Sequence, residues 1–563
     1  MVTNTDDMGT GSLRAAITQA NLNPGSDIID MTGVSGTITL TSGELDITDP
    51  VTINGPGAGT LVVSGNNTSR IFGIDDGAAG TSMSVTISGL TLTGGNAGTG
   101  DGGAIKVANE ALTLSGMIIS ANAASRGAGV YIGPGGSLTV PQNAGISLIG
   151  NNATGTGANA GGGAIFLDAS STATIRDSAI SDNQSTSNGE GGGGIGVAGN
   201  GTLTIQRTTI SSNRALGLFA NGGGVSFISN GTLTIDSSTL SGNSAVGSGG
   251  GISAGTAIAT IDNSTISGNA ANINGGGIAV TGSSLLARNT TIAFNTADSD
   301  NNSTGSGGGI FIEISNSATL QGTIVANNVA GPTPMAGPDI NGGVLATMSL
   351  VKNTTGAVII NGSSGNLLGV DPLLGGLASN GGPTLTHALA ASSPARDHGA
   401  NFAGQAFDQR GAPFVRTIGA ATDIGAFEFQ SPGGGPPPGP FLQDPTPLAF
   451  QTAAQIVQTL QRGGTKLLAF AIGETNGDLR RDIVLAFRLR NGHLLIATLS
   501  GVDGGVLGVF QPFTRPLAST ARVQLVLINL DANPPLDIGV IINGGGTGIP
   551  KVSAYTITGT KLL

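Results

Sequence analysis

The chain has no cysteine, no tryptophan and only 2 tyrosines, and charged residues make up just 10% of it. Without cysteine, disulfides and thiolate metal sites are both excluded, so stability has to come from the fold itself. With aromatics at 3%, any core must be thin and built from Val, Ile, Leu and Ala. No apolar run approaches the roughly 20 residues of a membrane-spanning helix, and KLLAFAI (466–472) is only strand-length. The opening MVTNTDDMGTG has no basic stretch and no apolar stretch of the signal-peptide kind. A net charge of −11 argues against nucleic acid, whose binding rests on Lys and Arg neutralising phosphates. It disfavours an anionic membrane surface for the same reason.

What is abundant is glycine, 98 of 563 residues, without the every-third-residue period of collagen. Apolar residues are 38%, so the glycine does not mean disorder. Two phrases alternate along the chain. One closes on asparagine: IISAN at Asn122, AISDN at Asn183, then Asn213, Asn243, Asn269, Asn295 and, in TIVANN, Asn327. The other is a glycine cluster followed by Ile or Val, as at Ile195, Val225, Ile252, Ile278 and Ile310. The spacing is that of a repeat architecture. Between the glycines, segments such as GTLTIDSSTLSGN (231–243) alternate with period two, which reads as short strands and no helix.

An all-β, right-handed parallel β-helix follows, over residues 35–370. Right-handed crossovers are the general preference. Stacked coils would place Asn183, Asn213, Asn243, Asn269 and Asn295 in one hydrogen-bonded ladder. The glycines would supply positive φ and close approach of successive turns. Residues 1–34 read as an N-terminal cap, with Ser12 capping a short helix whose apolar face is Leu13, Ala16, Ile17 and Ala20. Residues 371–430 break the repeat and read as a C-terminal cap on the last coil. SPGGGPPPGP (431–440) is a linker, and 441–563 form a separate small β domain.

VTNTDDMGTGSLRAAITQANLNPGSDIID (2–30), the Asn and GGGI repeats, SNGGPTLTHALAASSPARDHG (379–399) and DIGAFEF (423–429) together resemble the bacterial choice-of-anchor Q proteins. The GGAI phrases are more loosely similar to polymorphic outer-membrane protein repeats. The resemblance implies a parallel β-helix and a secreted or surface-attached protein, and it implies no established activity. Met1 falls at the family's N-terminal motif, so an export signal is expected upstream of a misassigned or truncated start.

The tail, at 465–501 and 521–559, reads as two copies of a strand, acidic loop, strand, turn, strand unit. Its loops resemble the FG-GAP repeats of propeller blades, whose D-x-[DN]-x-D-G-x-x-D loop holds calcium. The matching positions are Glu474, Asn476, Asp478 and Asp482, with Leu479 where the family has Gly. In the second copy they are Asn529, Asp531, Asn533 and Asp537, but Pro534 blocks the turn. The resemblance implies Ca2+ at the first loop only, and weakly.

Glycoside hydrolysis needs two carboxylates facing one sugar. NTDD (4–7), Asp75 and Asp76 are the non-repeating candidates, and turn capping is the simpler reading of the last two. Asp177, Asp236 and Asp262 recur in register, as structural residues do. His387, His398 and His493 are scattered. Thr-x-Thr phrases at 91–93 and 202–204 could present an ice-binding threonine face, although outward threonine is expected on any strand. The sequence therefore points to a secreted or cell-surface protein with a structural, adhesive or ligand-binding role. Its partners would be polysaccharide or cell-surface components, with no transmembrane segment. The alternative is a polysaccharide lyase or glycoside hydrolase on a pectin-lyase-like β-helix.

Overall fold

The computed structural model describes residues 1–430, apart from 79, 81, 158–159, 189–190, 228–229, 314–316, 332–335 and 361–363. Beyond these it describes the strand backbones between 466 and 555. The chain divides into two compact units, Met1–Ser431 and Pro432–Leu563.

The first unit is a parallel β-helix. The coil that begins at Ile195 shows the plan. A first strand, Ile195–Val197, leads to a second, Gly201–Gln206. A sharp corner leads to a third strand, Thr209–Ser211, and another to a short fourth, Arg214–Ala215. Third strands stack into a parallel 13-stranded sheet and fourth strands into a six-stranded one. First and second strands together make a 23-stranded sheet.

Period-two alternation decides which side chains go inside. Leu203 and Ile205 point inward and are fully buried, while Thr202 and Thr204 point outward. The Ile or Val after each glycine cluster stacks on its neighbours in register, Ile195 on Val225, Val225 on Ile252, Ile252 on Ile278, all with no exposed surface. Each such aliphatic contributes about 1.5–3 kcal/mol of burial, without needing an aromatic.

The corner between third and fourth strands needs one residue in the left-handed region, immediately before the ladder asparagine. Gly242 (φ 64) and Gly268 (φ 65) take it without strain, and Asp182, Ser212, Phe294 and Asn327 occupy it in other coils. The glycine triplet serves two needs. Gly275 has φ 67, whereas a Cβ on Gly276 would lie 2.4 Å from the Thr296 backbone and one on Gly277 2.6 Å from the Gly309 carbonyl. The first position needs glycine for its dihedral as well as for space, since a Cβ on Gly275 would lie 2.4 Å from the Ile278 carbonyl; the others need it for space alone.

The N-terminal helix is Leu13–Leu22, with Ser12 Oγ accepting from Ala15 N and Leu13, Ile17 and Ala20 buried. It covers the first coil, as its sequence suggests. Asp7 of the NTDD phrase is structural. Burial would raise its pKa, but hydrogen bonds from Thr41 and Arg14 outweigh that and bring it to about 2.

Residues 371–430 differ from the expectation of an end cap. A short antiparallel pair, Leu374–Ala378 with Thr386–Leu389, opens a strap that runs back along the outer face of the third strands. Thr239 Oγ1 donates to Leu385 O, Thr265 Oγ1 to Gln409 Oε1, and Thr291 Oγ1 accepts from Ala426 N. Under the strap's far part the outward positions turn apolar. Ile324, Ala326 and Leu350 pack there with Leu389, Ala395, Ile424 and Phe427. A lateral strap solves a problem an end lid would not, because it buries a second face of the solenoid.

In the second unit, Lys466–Gly473, Asp482–Arg488, Leu494–Leu499 and Val506–Phe510 form an antiparallel sheet. Arg522–Ile528, Asp537–Asn543 and Lys551–Tyr555 form another.

Candidate functional site

The asparagine ladder runs through the corner after the third strand. Asn183 donates from both its backbone N and Nδ2 to Asn213 Oδ1, at 3.1 and 2.9 Å. Asn213 repeats this on Asn243, Asn243 on Asn269, and Asn269 on Asn295. Each Nδ2 also donates to a carbonyl of the preceding coil, as Asn243 does to Ile210 O at 2.9 Å. These five side chains have no exposed surface. The ladder begins earlier than the sequence suggested, at Asn122 and then Asn151. It ends on Asn328 rather than Asn327, because Asn327 takes the left-handed corner and its neighbour turns inward.

Along the ladder each amide donates to the next one toward the C-terminal end. The last, Asn328, donates to a buried carboxylate, Asp339 Oδ1, at 2.9 Å. Asp339 Oδ2 accepts from Asn353 N at 2.7 Å. Burial raises the pKa of Asp339, against three N–H donors and nearby Lys352, which favour the ionised form.

An open cleft of ≈570 Å3 lies at this end. Phe294, Val329 and Leu373 line it on the apolar side, and Asn353, Lys352 and Asp371 on the polar side. Lys352 Nζ donates to Asn327 Oδ1 and to Asp371 Oδ2, both at 2.6 Å. That hydrogen bond holds Asp371 below the usual carboxylate range. Beside the cleft, the ring of Phe294 lies 5.0 Å from that of His387. His387 Nδ1 donates to Gly375 O, which leaves Nε2 to accept from Ser267 Oγ at 2.8 Å. This is nucleophile-and-base geometry, but both residues are buried where the strap, carrying His387, meets the solenoid, carrying Ser267, and they fasten the two together.

Several other charged groups that break the repeat register are bound internally. Arg126 forks onto Asp101 at 2.9 and 2.8 Å and reaches Asp168 at 2.9 Å, covering the stacked rings of Tyr131 and Phe166. Arg410 forks onto Asp408 between the rings of Phe414 and Phe427. In the DIGAFEF segment, buried Glu428 accepts from the backbone N of Ile418 and Asp423. Burial and the neighbouring Asp423 carboxylate push its pKa up to about 8.

Asp75 and Asp76 accept from Gly77 N and Ala78 N, so each closes its own turn. With Glu110 they bring three carboxylates within 4.8 Å, a group that could hold a cation. The expected calcium residues Glu474, Asn476 and Asp478 lie outside the described residues. Asp482 opens a strand, and its side chain also lies outside them.

Residues 163–368 match the family model described as a right-handed β-helix region. The first unit is thus a right-handed parallel β-helix. A crystal structure of pectate lyase Pel9A aligns with 76% of this chain and 97% of its own, at 13% identity and a TM-score of 0.35. No curated protein matches the sequence.

Proposed function

We propose that the chain is a secreted or cell-surface β-helix protein with a structural or adhesive role and no catalysis of its own. One observation carries this reading. Among the described residues, the arginines outside the repeat register at 70, 126 and 410 are each paired internally with a carboxylate, as Arg126 is with Asp101 and Asp168. What repeats outward is mainly Thr and Ser. The resemblance to surface-attached proteins supports the location. Calcium, in this reading, is bound weakly in the loop of Glu474, Asn476, Asp478 and Asp482.

A carbohydrate-active enzyme is the competing reading, favoured by the cleft that sets Lys352 beside Asp371. Incubating the purified full chain with polygalacturonate and neutral glycans, with and without calcium, separates the two. The expected result is no product. Product that disappears in Lys352→Ala or Asp75→Ala would replace the scaffold reading with the enzymatic one. Fractionation of the native producer checks the location, and a purely cytoplasmic protein would refute it.

A further inference from the structure

The outer face of the second strands carries an array that the sequence phrases only hinted at. One outward position is threonine in eight successive coils. It runs in strict register from Thr52 to Thr86, Thr113 and Thr139. It continues through Thr174, Thr204 and Thr234 to Thr260. Two residues earlier on the same face, Thr172, Thr202 and Thr232 form a second, more exposed column. Exposed Ile28 precedes the main column and Leu286 follows it.

None of these threonine hydroxyls is hydrogen-bonded to another described residue. The contrast with the neighbouring face is direct. There Thr239, Thr265 and Thr291 are all engaged by the strap. On the second-strand face the strap reaches only the border, where Gln405 donates to Asp236. That border column is charged: Arg288 forks onto Asp262, and Arg176 donates to the neutral Gln206.

The free hydroxyls and methyls form a lattice. Coil stacking sets about 4.8 Å along the axis, and alternate residues of a strand lie about 6.6 Å apart. The register has no shift from Thr86 to Thr260, so the period is kept over seven coils. A flat, uncharged, ringless face gives a dissolved molecule no concave grip. It offers no aromatic platform for a sugar ring either. What it does offer is periodicity, with hydroxyls to bond ordered water and methyls to hold that water in open cages. The axial spacing of about 4.8 Å lies near one oxygen repeat of hexagonal ice.

We infer that this threonine face binds ice. The inference goes beyond the scaffold reading and does not require it, since the glycan-turnover assay tests that reading separately. The test is ice-affinity partitioning and inhibition of ice recrystallisation by the full chain. Wild type should enrich in the ice fraction. The triple variant Thr174→Lys, Thr204→Lys, Thr234→Lys should lose that enrichment with an unchanged circular dichroism spectrum. Thr209→Lys, on the adjacent third-strand face, should keep it. Should the lysines disturb folding, the isosteric triple Val variant at the same positions should still fold and should weaken recrystallisation inhibition. Wild type that stays wholly in the liquid, or a folded lysine variant that partitions like wild type, overturns the inference. So does binding to microcrystalline cellulose or chitin that the same lysines abolish, because the lattice recognised would then be a glycan.

Discussion

Truncating one rung of the asparagine ladder should cost far more than an average substitution. In Asn243→Ala the backbone N–H of Asn213 loses its acceptor at 3.0 Å, and Asn213 Nδ2 loses one of its two acceptors, at 2.9 Å. The Ile210 carbonyl loses the Nδ2 donor at 2.9 Å. All three groups belong to residues without exposed surface. Asn213 Nδ2 keeps Ile180 O, so two groups lose this partner outright; at about 1–3 kcal/mol for each buried polar group left unpaired, the expected loss is about 2–6 kcal/mol. A water entering the vacated space would bring the figure toward the lower end. The chain has no tryptophan, so the assay is urea unfolding followed by far-ultraviolet circular dichroism. The midpoint should fall at constant m. Asn213→Ala and Asn243→Ala share the Asn213 Nδ2 to Asn243 Oδ1 bond, so the double variant should lose less than the sum of the singles. Thr232→Ala, exposed on the solenoid surface, should stay within about 0.5 kcal/mol. A loss below about 1 kcal/mol for Asn243→Ala, with m unchanged, would show that the ladder is passively placed and that the reasoning from unpaired groups is wrong.

Glu428 has its folded pKa raised from 4.5 to about 8, so the native state holds its proton more tightly than the unfolded chain. Stability from this group is full below pH 4.5 and is lost as pH rises to about 8. Glu428→Gln should flatten that slope in a pH series of melts. Gly277→Ala should cost about 1–3 kcal/mol by overpacking against the Gly309 carbonyl. Gly242→Ala, whose Cβ would meet nothing closer than 3.7 Å, should cost only the left-handed dihedral, about 1–2 kcal/mol; reversed ranks in melting curves would contradict the division of labour among the glycines. Calorimetric titration with calcium should give a dissociation constant of roughly 10⁻⁴–10⁻³ M. That binding should be lost in Asp478→Ala and kept in Asp537→Ala, and the opposite pattern would reassign the loop.

The architecture was legible because a solenoid repeats its local chemistry. Ile278 after GGG and Asn269 after a Ser-Gly pair each announce one corner, and stacking then fixes the register. Asn151 escaped notice because SLIG lacks the usual Ser/Thr phrase. The gap from Asn122 to Asn183, about two coil lengths, was the available signal. Asn327 and Asn328 are adjacent and chemically identical, and only the corner dihedral separates them. The strap was not legible. Thr239, Thr265 and Thr291 look in sequence like any outward threonine, and their partners lie more than a hundred residues away. The clue was outward aliphatics at Ile324 and Leu350, where alternation gives way to burial on both sides. The threonine array was half visible. Thr202 and Thr204 belong to it, whereas Thr91 and Thr93 stand on the third-strand sheet.

The lateral strap gives the solenoid two mechanical regimes. Pulled from its N-terminus, the molecule would unspool one coil at a time, each coil resisting with only its own ring of sheet bonds. At Thr239 that changes, because the same strap segment is knotted to that coil, to Thr265 and Ser267, and to Thr291. These coils share their load and have to yield together. A force–extension trace should therefore climb through small even steps and end in one large rupture, with the grip concentrated at the C-terminal end.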